Sequence, residues 1–404
     1  MATEWKKVRL DAICSSITDG DHLPPPKAES GIPFVTIANI KDNKFDFSNT
    51  MFVPQSYYDK LDSKRKATNG NILYSVVGSY GIPVLIKENT PFVFQRHIAI
   101  LRPNSEEILP EYLYYTMLSK DFYAKADAVA VGAAQKTISL SSLRGIEVEI
   151  PSLKKQQKIA GVLSAYDDLI ENNRRQIKLL EEAAQKLYKE WFVKQNFPGH
   201  ENTKIVNGVP EGWKYKPLNS LVDFQNGYAF KSDSFDESGD YRLITIKNVK
   251  DGLFDYLNVN KIKVIPSGMQ DWCKLEIGDS LVSLTGNVGR VCLVTTENCL
   301  LNQRVAKIAC TFTSYAYILF RSKDMFNIMN KLAKGAAQQN LSPIQLGEEK
   351  ILMSENQLIK RFDQLVEPFV KEIICLNRQN QDLQLARDKL LPKLMRQPHE
   401  RRVK

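Results

Sequence analysis

The sequence predicts an α+β protein with a pseudo-two-fold internal repeat: two tandem α/β domains joined by two long helices that form an antiparallel coiled coil. Three observations carry this. Phrases recur along the chain at a nearly constant offset. Within each copy, short β-branched runs broken by Gly and Pro alternate with helical stretches. Each copy then ends in a helix with a heptad pattern.

The repeat comes first because it sets the architecture. "VTIANIKD" at 35–42 returns as "ITIKNVKD" at 244–251. Trp5 has its counterpart in Trp213, "GNILYSVVGSYG" (70–81) lies over "GDSLVSLTGNVG" (278–289), and Gln95-Arg96 lies over Gln303-Arg304, all at an offset of 208. "GAAQKTIS" (132–139) lies over "GAAQQNLS" (335–342), and Arg175-Gln176 over Arg378-Gln379, at 203. One deletion of about five residues between Arg304 and Gly335 reconciles the two values, so a unit of roughly 200 residues is duplicated.

Residues 1–150 form the first domain. Strands are expected in "PFVTIANI", "NILYSVV", "IPVLIK" and "FVFQRHIAIL", and one helix over 110–130. A central helical segment occupies 151–195, a Gly- and Pro-punctuated linker 196–212, a second domain 213–350 and a C-terminal helical segment 351–404. In the second domain, 315–333 matches the first domain's helix. In the first long helix Leu163, Tyr166, Ile170, Asn173, Ile177, Leu180, Ala184 and Leu187 alternate by three and four. Val366, Phe369, Ile373, Leu376, Asn380, Leu383, Arg387 and Leu390 do the same in the second. Antiparallel pairing, with partner numbers summing to 553, sets Asn173 against Asn380, Ala184 against Phe369, and Tyr166 against Arg387 for a cation–π contact. A parallel pairing leaves Asn173 against Leu376, a polar group without a partner.

Composition excludes several classes. The chain is 43% apolar and 25% charged, as globular proteins are, and no run reaches the ~18 apolar residues of a membrane helix. The N-terminus is polar, six cysteines show no C-x-x-C pair and four histidines are scattered. That pattern points to a reduced, cytoplasmic protein with buried thiols and neither metal nor cofactor. The net charge of +9 suits an anionic partner, yet residues 1–150 are neutral and 213–350 carry 17 basic against 14 acidic groups. No phosphate loop or metal-spaced cluster is present, which argues against an enzyme.

"LYKEWFVKQNFPGH" (187–200), "VPEGWKYKPL" (209–218) and "ARDKLLPKLMRQ" (386–397), in this order of domain, helix, linker, domain and helix, resemble the specificity subunit of type I restriction-modification systems. The resemblance spans essentially the whole chain. It implies a non-catalytic subunit whose two target-recognition domains each read one half of a split double-stranded DNA sequence. It also implies two adenine-N6 methyltransferase subunits as partners, with restriction and translocase subunits joining them. The recognition subunit of a type II enzyme with a two-part target has a similar layout, and a protein-interaction scaffold unrelated to DNA is the rival from another class.

If the two copies read different half-sites, scaffold positions stay alike and reading positions diverge. Residues 46–69 and 255–277 bear little relation to each other and are rich in Lys, Asn, Gln and aromatics. They single out Lys64, Arg65 and Lys66, and Lys261, Lys263 and Lys274; the alternative is that both stretches are solvated loops. "VGSYG" (77–81) and "TGNVG" (285–289) keep their glycines and vary between them, which adds Ser79, Tyr80, Asn287 and Arg290, unless these are plain hairpin turns. Gln95, Arg96, Gln303 and Arg304 either hold phosphate in both halves or buttress the sheet. The two "GAAQ" phrases are expected to be structural, with main-chain contact to DNA open. Off the seam, Tyr188 and Phe192 correspond to Leu391 and Met395, two equivalent apolar patches for two copies of a partner or for the chain's own domains.

Overall fold

The computed structural model describes residues 5–41, 43–48, 50–133, 135–257, 259–335 and 339–396. Residues 336–338 of the second "GAAQ" phrase, 397–404 of the expected C-terminal segment, and Asp42, Asn49, Ala134 and Asn258 lie outside the described residues. By its contacts the chain divides into two compact units, residues 1–169 with 383–404, and residues 170–382. Both long helices are therefore cut by the division, whereas the sequence reading kept each helix whole.

The same main chain is built twice. In the first unit a four-stranded antiparallel sheet runs Cys14–Asp19, Ile98–Pro103, Ile72–Ser75, Pro83–Leu85. In the second it runs Asp223–Asn226, Val305–Ala309, Ser280–Ser283, Val291–Leu293. The inner strands "ILYS" and "SLVS" are buried on both faces, so they show no apolar–polar alternation, and their serines are buried with the rest. Lys6–Arg9 pairs with Glu147–Ile150, and Lys214–Pro217 with Lys350–Met353, so each unit ties its own ends together.

The recurring "VTIANIKD" phrase has a local cause. Asn39 Oδ1 accepts from Thr36 N at 2.9 Å and Thr36 Oγ1 at 3.0 Å, closing a 3-10 turn. Asn248 does the same for Thr245 at 2.9 Å twice, and Asp46 N and Asp255 N donate to the main-chain oxygens of Asn39 and Asn248. An Asx-type side chain replaces a main-chain turn here, so Thr and Asn persist while the residues between them drift. Gly20 and Gly227 are a second shared constraint. A β-carbon on either would collide with a carbonyl oxygen of the neighbouring strand, Phe94 O or Asn302 O.

Three expectations change. "FVFQRHIAIL" breaks into Val93–Phe94 and Ile98–Pro103 around a turn. The helix expected over 110–130 is two, Pro110–Leu118 and Lys120–Ala128, because Ser119 Oγ accepts from Phe122 N at 3.2 Å and caps a new helix. Ser322 repeats the cap between Thr313–Phe320 and Lys323–Leu332. Among the thiols, Cys14, Cys273, Cys292 and Cys299 are buried, but Cys375 is exposed on the second long helix.

The long helices span Leu153–Tyr188 and Asn356–Leu394, the first closing in a π-helical turn, Lys189–Val193. They run antiparallel within each unit. In the second unit Asn173 contacts Gln379, while Tyr188, Trp191 and Phe192 contact Phe362. In the first, Asp167 meets Arg387. Leu163, Ile170, Asn173, Ala184, Val366, Ile373, Leu376 and Asn380 are buried, and the remaining seam positions are partly so. Two contacts differ from the sequence reading. Asn173 Nδ2 donates to Gln379 Oε1 at 3.3 Å rather than to Asn380, whose Oδ1 has no partner among the described residues. Arg387 turns from Tyr166 to Asp167, at 2.5 Å, because a carboxylate outweighs a ring face as a guanidinium partner.

Candidate nucleic-acid interface

The turn that carries Gln95 and Arg96, between strands of two different sheets, requires a correction of register. Asp21 N donates to Phe94 O at 2.7 Å, and Arg96 N to Asp21 O at 2.9 Å. The matching bonds in the second unit run from Tyr228 N to Leu301 O at 3.0 Å, and from Gln303 N to Tyr228 O at 2.9 Å. Asp21 thus corresponds to Tyr228, Arg96 to Gln303 and His97 to Arg304, a step of 207. The two Gln-Arg pairs do not occupy the same place. The second copy is one residue shorter in the loop before this turn, and it loses the other four residues before the helix at Thr313. Arg96, Gln303 and Arg304 are exposed, and Arg304 holds a left-handed φ of 72°.

Above the common sheet the units diverge. In the first, residues 46–69 form Met51–Val53, the helix Gln55–Lys60 and a 3-10 turn Ser63–Arg65, and the strand joins a three-stranded sheet. In the second, residues 255–277 supply Asn260–Ile262 and Lys274–Leu275, the two edges of a four-stranded sheet, with Asp271–Cys273 as a 3-10 turn.

The Lys64–Lys66 turn is held from below. Arg102 Nη2 donates to the main-chain oxygens of Ser63 (3.1 Å), Lys64 (3.0 Å) and Lys66 (3.0 Å), and Thr18 Oγ1 adds a bond to Lys64 O at 3.0 Å. Asp62 caps the turn through Lys64 N at 2.8 Å. Asp21, whose side chain is 2% exposed, accepts from Tyr57 Oη and lies 3.5 Å from Arg65 Nη1. Burial and then this carboxylate push the Tyr57 hydroxyl up to about 12, so it stays a donor. The buried carboxylate therefore holds the Arg65 side chain, whereas Arg96 meets Asp21 through its main-chain N–H alone. Lys66 bonds Asp59 O at 3.1 Å with its ammonium 4.8 Å from the Tyr58 ring centroid, which leaves Lys64 as the exposed cation of the three. Sequence reasoning missed Arg102, Asp21 and Tyr57.

The second unit's basic residues are tied differently. Lys263 pairs with Asp236 at 2.9 Å and Lys274 with Asp271 at 3.0 Å. Hydrogen bonds from Ser238, then from Lys263, bring the Asp236 carboxyl down to about 2. Lys261 is half-buried on its strand, and Asn287 is exposed.

The glycine loops are turns that need their glycines: φ is +68° at Gly78, +91° at Gly81, +75° at Gly286 and +77° at Gly289. Each bonds to the chain just after its "GAAQ" phrase, Gly78 N to Lys136 O at 3.1 Å and Gly286 N to Gln339 O at 2.9 Å. Ser79 is exposed, but Tyr80 is engaged inside its own unit. Its ring stacks on Tyr123 with centroids 5.9 Å apart, and its hydroxyl donates to Asp127, which also takes Lys136 at 2.7 Å. A role for Tyr80 as a free side chain that reads DNA does not fit this geometry. Arg290 N donates to Ser283 Oγ at 3.0 Å, so the main chain at this residue serves the turn.

The proposed partner patches lie inside the units. Tyr188 and Phe192 pack against Tyr315 and Phe362 in the second unit's core, while Leu391 is buried and Met395 half-buried in the first unit's core. They face their own domain's helices because those helices cover the side of the coil that the seam leaves open. Among the described residues no group of His, Cys, Asp and Glu is placed to hold a metal ion, and no helix is long and apolar enough to cross a membrane.

Comparison with known proteins gives a consistent answer. The model of the type I restriction modification DNA specificity domain matches residues 2–182 and again 210–362. The HindI type I restriction enzyme specificity subunit of Haemophilus influenzae is 23% identical over 467 aligned positions, covering 97% of this chain and 99% of that protein. The MjaIX specificity subunit of Methanocaldococcus jannaschii is 26% identical over 306 positions, 71% of this chain and 68% of that one. A crystal structure of the type I restriction-modification S subunit from M. genitalium shares the fold, with TM-score 0.57, 17% identity and coverage of 97% and 96%. With both repeats matched by the family model, the chain belongs to the type I restriction-modification DNA specificity family.

Proposed function

We propose that this chain is a non-catalytic DNA-reading subunit in which each repeat reads one half of a bipartite, asymmetric duplex target. In this reading the two long helices set the gap between the halves and dock two adenine-N6 methyltransferase subunits, with restriction and translocase subunits completing the assembly. One observation carries it: the units share their frame down to single hydrogen bonds, and differ in the layer above that frame. A scaffold duplicated to present two different reading surfaces has this form, because base edges are read by variable side chains while the frame only positions them. Since Phe192 and Leu391 are buried and Tyr188 packs partly buried on its own unit's core, the docking faces are reassigned to Val162 and Leu365, equivalent positions 46% and 47% exposed on the two helices.

The test is to express the chain with its methyltransferase in a host free of other systems and sequence the methylated adenines. A split motif with a fixed gap is expected, and exchanging residues 213–350 for another family member's should change one half only. Loss of both halves on that exchange contradicts independent reading. A stable complex that methylates nothing and has no salt-dependent duplex affinity favours the protein scaffold instead.

A further inference from the structure

We infer that Arg65 reads a base edge in the half-site of the first repeat, and that Arg102 and Asp21 are the positioning residues that aim it; this rests on the DNA-reading role proposed above. Arg102 comes from the sheet, at Ile98–Pro103, and gives one guanidinium nitrogen to three successive-turn carbonyls, those of Ser63, Lys64 and Lys66. Its other nitrogen reaches Ser16 Oγ at 3.3 Å. A solvated loop has no need of such a fork, because water satisfies its carbonyls. Drawing the carbonyls inward and capping the turn with Asp62 limits the conformations open to this short basic run.

The three cations then divide by role. Lys66 is occupied by Asp59 O and the Tyr58 ring. Lys64 is exposed and suits a phosphate. Arg65 is anchored at one nitrogen by the buried Asp21 while its side chain remains 34% exposed. A guanidinium oriented this way keeps donors for the paired acceptors of a guanine edge. Asp21 does not repel the duplex from the surface, since its side chain is buried and shared with Tyr57. The device belongs to one repeat. At the structurally equivalent positions the second unit has Ala309 for Arg102 and Tyr228 for Asp21, so its reading must rest on other residues.

The experiment uses the chain complexed with its methyltransferase, a duplex carrying the motif found by methylation sequencing, and all four base pairs at each position of both half-sites. Arg65→Lys keeps the charge and loses the fork. It is expected to lower discrimination roughly 10- to 100-fold at one position of the first repeat's half, with the salt slope and the other half unchanged. Arg102→Met, which offers the three carbonyls no donor, should relax the same position. Lys64→Ala should instead weaken all sequences alike and reduce the salt slope by about one. The inference is overturned if Arg65→Lys weakens every sequence equally, since Arg65 then meets phosphate, or if it leaves discrimination intact. Relaxation of both halves by Arg102→Met, in step with lost folded protein, also overturns the positioning role. A wild-type complex without duplex affinity would sink the DNA-reading role itself, a result distinct from any of these.

Discussion

The two units fasten equivalent parts with different chemistry. In the first, the loop 77–81 is latched by polar groups: Tyr80 stacks on Tyr123 and donates to Asp127, which also holds Lys136. In the second, Val288 is buried beside Met329, and Gly289 lies close enough to Met329 that a β-carbon there would sit 3.3 Å away. Attachment to the long helices follows the same pattern. Tyr115 Oη donates to Asp167 Oδ2 at 2.6 Å and Arg387 completes the triad. Tyr317 Oη donates to Glu181 Oε1 at 2.7 Å and Arg321 meets Glu181 Oε2 at 2.9 Å, with Asp251 on its other side. Burial raises both tyrosines far above the ordinary phenol value, so each remains a neutral donor. Yet Tyr115 corresponds by the 203 offset to Ile318, not to Tyr317. Duplication therefore preserved the main-chain frame, while each interface found its own way to satisfy buried charge.

The largest effects should come from the frame and be equal in both units. Gly20→Ala and Gly227→Ala each force a β-carbon against a carbonyl and should destabilise their own unit by roughly 3 kcal/mol. Urea unfolding with hydrogen exchange resolved by unit would show it, and a tolerated substitution in one unit breaks the claim of a common frame. Arg321→Met and Arg387→Met should each cost about 3 kcal/mol by leaving a half-buried carboxylate unpaired. Should either be neutral, that triad contributes no net stability and the parallel between the two attachments fails.

The latches separate the units next. Met329→Ala empties a fully buried site and should cost about 2–3 kcal/mol, whatever the salt. Tyr80→Phe should only speed exchange at 77–81, an effect that shrinks in high salt because it rests on exposed polar groups. The smallest effect is in pH. The Asp127 carboxyl is held below its ordinary value by Lys136 and then Tyr80, and the Tyr80 hydroxyl is pushed up to about 12 by Asp127 and then burial. The depressed carboxyl stabilises above the unfolded value near ~4, and that contribution goes as pH falls through its folded value. The raised phenol stabilises below ~10, and its contribution goes as pH rises through about 12. Exchange protection of 77–81 should fall at both extremes, while 285–289, with Val288 buried and Gly289 against Met329, should not follow it. Parallel loss in both loops would place the pH response in the frame.

Legibility followed the range of the interactions. The heptad seam was visible because its residues lie on one helix face, whereas the Thr-x-x-Asn turn was not: "PFVTIANI" reads as one strand, and the Asn39 bonds to Thr36 end it at Val35. The shared Gln-Arg phrase misled: identity suggested an offset of 208, but the loop before that turn is one residue shorter in the second copy, and strand pairing gives Arg96 the place of Gln303. Arg102 looked like an ordinary strand residue because the carbonyls it serves lie 36 to 39 positions away. Tyr188 and Phe192 were correctly seen to leave the seam, but what covers them comes from Tyr315, more than a hundred residues on.

The sequence by itself determined the duplication, the order of domain and helix, and the antiparallel sense of the seam, since these are written as periodicities that no distant contact can change. Only the tertiary structure decided which polar and apolar groups are occupied: Arg102 beneath the basic turn, Tyr80 on Asp127, Phe192 in a core. A side chain's availability depends on whether a partner from elsewhere in the chain reaches it, and burial makes that partner obligatory.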